Sequence, residues 1–223
     1  MKNLKALILA TLLLVPLLFF AFVVIFGEQH FTLSTYLPEL NETGEVVRTA
    51  KGDTIFRQIP EFEFTSQTGQ TVTQQALADN GLYVANFFYT SCPTTCREVA
   101  SQLVRVQETF QNNPQVKIAS FTVDPAHDSV EVLKNYAAQY GANPSQWLFL
   151  TGGREKVYQL AGEEFSLPVR QVAGQEAIVQ SEKIMLVDKA HHVRGIYDGT
   201  SSGEIDRLMM EINVLLDEYS KNK

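Results

Sequence analysis

Leu82-Tyr83-Val84-Ala85-Asn86-Phe87-Phe88-Tyr89-Thr90-Ser91-Cys92-Pro93-Thr94-Thr95-Cys96 decides the fold of this chain. It opens as an apolar run of strand type, breaks into a Ser/Cys/Pro segment, and continues into a helix expected through Arg97–Gln111. Val99, Leu103, Val106 and Phe110 recur at helical spacing and form its buried face. Pro93 suits a first helical turn, where its missing N–H is no loss, so Cys92 is the expected N-cap. Its sulfur would then lie near free N–H groups and the positive end of the helix dipole, with Cys96 one turn later on the same face. Arg97 adds a cation. Both cysteines of the protein sit at this junction. Such surroundings lower thiol pKa values, as redox or metal-binding thiols require.

The rest of the composition narrows the class. The chain has 223 residues, enough for one well-buried domain, and its 45% hydrophobic and 19% charged content is that of an ordinary globular protein. A formal charge of −7 excludes a basic nucleic-acid surface. Met1–Lys5 carries two lysines and is followed by an uncharged apolar run, Ala6–Phe26. As a helix that run is about 31 Å long, close to the ~30 Å hydrocarbon core. It is longer than a signal-peptide core and lacks a small-x-small cleavage site, so residues 1–27 are expected to be a retained single-pass membrane anchor. Lys2 and Lys5 stay in the cytoplasm, and the remainder is exported to a compartment where disulfides form.

Residues 28–53 read as a linker and 54–220 as one α/β domain. Glu61–Thr65 and Thr71–Thr73 form a hairpin about the Gln67-Thr68-Gly69-Gln70 turn. After the central strand and its helix comes a strand over Val116–Val123, ended by Asp124-Pro125. Asp128 with Glu131 makes a capping signature for a helix over Ser129–Tyr140. Trp147–Leu150 is a short strand and Glu155–Glu164 a helix. Lys183–Asp188 and Val193–Tyr197 make a second hairpin. Ser201 and Glu204 cap a last helix that buries Ile205, Leu208, Met209, Ile212, Leu215 and Leu216. Alternating strands and helices imply a parallel core with right-handed crossovers, closed by an antiparallel edge. The Cys92–Cys96 turn and the Asp124–Asp128 loop both lie at carboxyl ends of strands and are expected to be neighbours.

Four segments in this order resemble the Sco/SenC family: Ile59-Pro60-Glu61-Phe62-Glu63-Phe64, Phe87 through Cys96, Thr122-Val123-Asp124-Pro125-Ala126-His127-Asp128, and Ser181-Glu182-Lys183-Ile184-Met185-Leu186-Val187-Asp188. The resemblance implies a thioredoxin-like fold with an N-terminal β-hairpin extension, behind a transmembrane helix. It also implies a role in assembling the copper site of cytochrome c oxidase. In that family the two cysteines of Cys-x-x-x-Cys and a distant histidine hold copper, and the cysteines also act as a thiol–disulfide reductase. Carried over, Cys92 and Cys96 are the redox pair, the disulfide and the first two copper(I) ligands. The expected partners are the oxidase copper-site subunit, a thioredoxin-like reductant and the membrane.

One position departs from the family. The histidine register falls on Gln180, and glutamine is a poor copper ligand beside imidazole, so copper(I) binding is expected to be weaker here. His127 is the substitute ligand with the best placement, and its plainer reading is an exposed loop residue. His191 and His192 lie at the far turn of the last hairpin, more than about 20 Å along the strand from Gln180, and read as solvated turn residues. His30 is beside the membrane. Asp128 reads mainly as a helix cap and Asp124 as a strand terminator, with thiol tuning or partner docking as the functional alternative for Asp124.

Other readings of the cysteines are a structural disulfide, a zinc site, a copper(I) metallochaperone and a peroxiredoxin-like peroxidase. A bridge over four residues removes little unfolded-state entropy, two thiolates do not complete a zinc site, and Tyr89 stands where the peroxidase motif has threonine.

Overall fold

The computed structural model describes residues 11–22, 32–79, 81–170, 178–179 and 181–221. The compact unit from Leu33 onward is a seven-stranded sheet with helices on both faces. The strands are β1 (Glu63–Ser66), β2 (Thr71–Thr73), β3 (Leu82–Phe88), β4 (Val116–Thr122), β5 (Trp147–Thr151), β8 (Lys183–Val187) and β9 (Val193–Asp198). They lie in the order β2-β1-β5-β4-β3-β8-β9. β6 (Val169–Arg170) and β7 (Ile178–Val179) form a separate antiparallel pair before β8.

β3 is central because it is apolar enough to be buried at all seven positions. Alternate side chains therefore enter both layers. Val84 and Phe88 pack with α3 (Thr95–Thr109), α4 (Val130–Gln139) and α6 (Ser202–Lys221). Tyr83, Ala85 and Phe87 pack with α2 (Gln74–Ala78) and α5 (Arg154–Gln159) on the opposite face. Residues 11–22 form α1. β3, β4 and β5 run parallel, as the alternation of elements predicts. Their register pairs Phe87 with Phe121 and Phe88 with Thr122, so the segments after β3 and β4 leave the sheet at one edge.

Antiparallel strands close both sides of this parallel core. β8 pairs with β3 and β9 with β8, while the β1–β2 hairpin attaches to β5 through Thr65 opposite Thr151. The first hairpin strand begins at Glu63, two residues later than its alternation suggests, since Phe62 is already spent in the aromatic cluster with Phe64, Tyr83 and Phe121. The turn needs Gly69, whose φ of +78° suits glycine. α2 was not legible in the sequence: five residues leave too little periodicity, although the Thr73 hydroxyl caps it by accepting from Ala76 N–H at 3.2 Å. The expected Glu155–Glu164 helix is α5 continued by one π-helical turn, Leu160–Glu164.

Residues 38–58 fold back on themselves through the bridges Pro38–Phe56, Leu40–Val46 and Arg48–Thr54, and Gln58 bridges His192. The helix over 11–22 lies inside the apolar run, whose two ends fall outside the described residues. Among the described residues no helix is long and apolar enough to cross a membrane.

Candidate functional site

The chain leaves β3 at Phe88, turns through Tyr89–Thr94 and enters α3. Cys92 and Cys96 are joined by a disulfide, with Cα atoms 5.9 Å apart. The helix N-cap is Thr94 and not Cys92. Pro93 and Thr94 stay outside the helix, which begins at Thr95. The expected chemistry survives this shift, because the Cys96 N–H still donates to the Cys92 sulfur at 3.2 Å. A first-turn donor thus points at a sulfur that becomes anionic when the bond is reduced. Cys92 is only 8% exposed, while Cys96 is half-buried against the core. Arg97 is exposed and folds back to donate to the Pro93 carbonyl.

The loop after β4 meets this turn, as expected, and the contact is made by Asp128. Its carboxylate is fully buried and collects donors from three segments. Oδ2 accepts from Thr90 N–H at 3.0 Å and from Thr122 Oγ1 at 2.5 Å. Oδ1 accepts from Thr90 Oγ1 at 2.5 Å and from His127 Nδ1 at 3.0 Å. Asp128 is therefore not the helix cap that the Asp-x-x-Glu pattern suggests. Ser129 holds that place, extended at φ −64° and ψ 167°, with its hydroxyl accepting from Val132 N–H at 3.4 Å. Moving the cap one residue on frees the carboxylate to clamp the ends of β3 and β4 together, two residues before Cys92. Sequence reasoning missed Thr90 and Thr122. The available signal was a hydroxyl at each parallel strand end beside an aspartate loop.

His127 lies at the surface against this clamp. Its hydrogen bond to Asp128 raises its pKa above the ordinary 6.5, helped by the charges of Asp128 and Asp124 and opposed by partial desolvation. A raised folded-state pKa means that the imidazolium stabilises the fold. That contribution is complete below pH 6.5 and fades as pH rises through the folded value. His127→Gln is expected to cost more stability near pH 5.5 than near pH 8.5. Urea unfolding at both values checks this, and an equal or inverted difference would exclude it.

Asp124 is half-buried, and its backbone carbonyl accepts from the N–H groups of His127 and Asp128 at 3.1 and 2.9 Å. His191 and His192 sit in the β8–β9 turn, half-buried rather than fully solvated, with His191 at φ +64°. Val187 pairs with Tyr83 at the start of β3, which puts that turn at the opposite end of the sheet from Cys92. His30 and Gln180 lie outside the described residues. Among the described residues no group of three or more His, Cys, Asp or Glu side chains is arranged to hold a metal ion. With the sulfurs bonded to each other, neither is free to ligate. Once reduced, they offer two soft donors of the kind copper(I) selects.

The SCO1/SenC family model matches residues 51–217, three quarters of the chain and all of the segments just described. The chain belongs to the SCO1/SenC family. The SCO1 protein homolog of Bacillus subtilis is 26% identical over 162 residues, covering 72% of this chain and 83% of that protein. A SCO1/SenC family lipoprotein of Bacillus anthracis has a similar structure, with a TM-score of 0.65 and 25% identity over 71% of this chain and 95% of its own. BsSco, described as having a disulfide switch and as a member of the Sco family of cytochrome c oxidase assembly proteins, matches at a TM-score of 0.61 and 26% identity. That match covers 71% of this chain and 92% of BsSco. Copper-bound yeast Sco1, at 23% identity and a TM-score of 0.54, shares the fold; it covers 70% of this chain and 88% of its own. These SCO1/SenC structures agree with the α/β, thioredoxin-like architecture expected from the sequence.

Proposed function

We propose that this SCO1/SenC protein is a thiol–disulfide exchange protein that helps assemble the copper site of cytochrome c oxidase. Cys92 and Cys96 are its redox pair. The observation that carries the reading is the Cys92–Cys96 bridge at the start of α3, with the Cys96 N–H aimed at the Cys92 sulfur. A bridge so short is an inefficient staple but a competent two-electron couple. The similarity to BsSco, with its disulfide switch, supports the same assignment. The natural target is a cysteine pair on the oxidase copper-site subunit, with a thioredoxin-like protein returning electrons. The apolar Ala6–Phe26 run anchors the chain, leaving its N-terminus in the cytoplasm and the folded domain on the other side of the membrane.

Copper(I) is a cargo in this scheme and not a resident cofactor. The reduced cysteines supply two ligands, and Gln180 occupies the third family position. Comparing reduced wild type with Gln180→His separates exchange from transport. The variant is expected to bind copper(I) at least about tenfold more tightly, in keeping with the weakness of an amide beside imidazole for this ion. Equal and tight binding in competition with a colorimetric chelator would instead favour a metallochaperone, with His127 as the remaining candidate donor.

A further inference from the structure

Cys92 is reached through a cleft of 460 Å³ between the start of α3 and the outer face of α4. Pro93 and Arg97 form one wall, and Asn135, Tyr136 and Gln139 the other. Among the described residues lining it, Arg97 carries the only charge. The neighbouring ionic residues of α4, Glu131 and Lys134, line a different cleft beside Gln67 and Thr68. Arg97 is thus the charged side chain of the cleft lining, on a protein with net charge −7, while His127 Nδ1 stands 3.4 Å from the hydroxyl of Thr90 in the same lining.

The wall opposite has a different character. Asn135 and Gln139 are exposed and stand one helical turn apart, so their amides present donors and acceptors along one line. Between them Tyr136 is buried and stacked on Phe88, with ring centroids 5.3 Å apart. Burial raises the Tyr136 hydroxyl pKa, the Tyr140 hydroxyl and the Asp128 charge act in the same sense, and the Arg97 charge makes the smallest contribution, against them.

We infer that this cleft docks an extended partner segment whose disulfide is flanked by a carboxylate side chain. Arg97 pairs with the carboxylate, the Asn135 and Gln139 amides hydrogen-bond the partner backbone, and the partner sulfur is delivered to Cys92. The inference rests on the exchange reaction proposed above and names its substrate class. In that reaction the Cys92 thiolate attacks one sulfur of the partner disulfide. The partner S–S bond breaks, a Cys92–partner S–S bond forms, and the second partner sulfur leaves as a thiolate that takes a proton from water. The Cys96 thiolate then attacks the Cys92 sulfur, closing the Cys92–Cys96 bond and releasing the first partner sulfur. Two electrons pass from the protein dithiol to the partner.

The test uses the reduced full chain and two synthetic disulfide peptides that differ only in a Glu or a Lys beside the cysteine. The small neutral 2-hydroxyethyl disulfide serves as reference. At low salt the Glu peptide is expected to be reduced about fivefold faster than the Lys peptide, the worth of one exposed ion pair. Arg97→Glu is expected to invert that ratio. Asn135→Trp, which fills the cleft, is expected to slow the Glu peptide more than the small disulfide. A wild-type ratio near one, or a ratio that Arg97→Glu leaves unchanged, overturns the docking inference alone. Failure to reduce the small disulfide overturns the exchange reading with it.

Discussion

Asp128→Ala is expected to destabilise the domain by about 3 kcal/mol, the effect of leaving buried donors without an acceptor. The carboxylate is fully buried, and its removal strands the Thr90 N–H together with the Thr90 and Thr122 hydroxyls. For a domain of this size the loss corresponds to a fall in Tm of roughly 6–12 °C. Asp128→Asn retains one carbonyl oxygen and turns a donor group toward other donors, so it falls between alanine and wild type. Ser129→Ala, which removes the helix cap itself, costs only about 1 kcal/mol. The order of the two alanine variants is decisive. Were Asp128 merely a cap, its loss would cost no more than that of Ser129. Thermal unfolding of the reduced and oxidised proteins measures both. Because Thr90 is two residues from Cys92, Asp128→Ala is also expected to slow thiol exchange by loosening the turn that presents the sulfurs.

The largest functional effect is expected at the cysteines. Either Cys92→Ser or Cys96→Ser abolishes turnover, since the two-electron couple needs both sulfurs. The two variants then diverge. Cys92 lines the cleft, and its sulfur accepts the Cys96 N–H, which favours its thiolate as the attacking group although Cys96 is the more exposed residue. Cys96→Ser is expected to accumulate a mixed disulfide with a partner thiol through Cys92, because the Cys96 thiolate that resolves it forward is absent. Cys92→Ser is expected to trap far less. Mass spectrometry of the chain after incubation with a disulfide peptide distinguishes them. A structural bridge predicts another pattern: losing either cysteine would lower stability by about 2 kcal/mol, as loop closure over a few residues suggests, with no trapping asymmetry.

The contrast between Asp128 and Cys92 shows where sequence reading succeeds and where it stops. The strand-to-helix junction at Leu82–Cys96, the parallel core and the buried faces of α3 and α6 are written in local periodicity, and the structure reproduces them with helix ends displaced by a few residues. Within α6, Ile205, Leu208, Ile212 and Leu215 are buried as their spacing requires, while Met209 and Leu216 are partly buried at the edge of the face. The placement of the Asp124–Asp128 loop beside the cysteines also follows from the sequence. In parallel strands the exits share one edge whatever the side chains.

The sequence by itself determined the α/β class, the strand that carries the cysteines, and their position at a helix start. Those features depend on residues within one or two turns of each other, where spacing alone selects the contact. Only the tertiary structure decided the role of Asp128, the transfer of the cap to Ser129, and the attachment of the β1–β2 hairpin to β5. A carboxylate that caps a helix and one that clamps two strands accept the same kind of hydrogen bond. Which of these it does depends on donors that the sheet brings within 3.0 Å from 38 residues away.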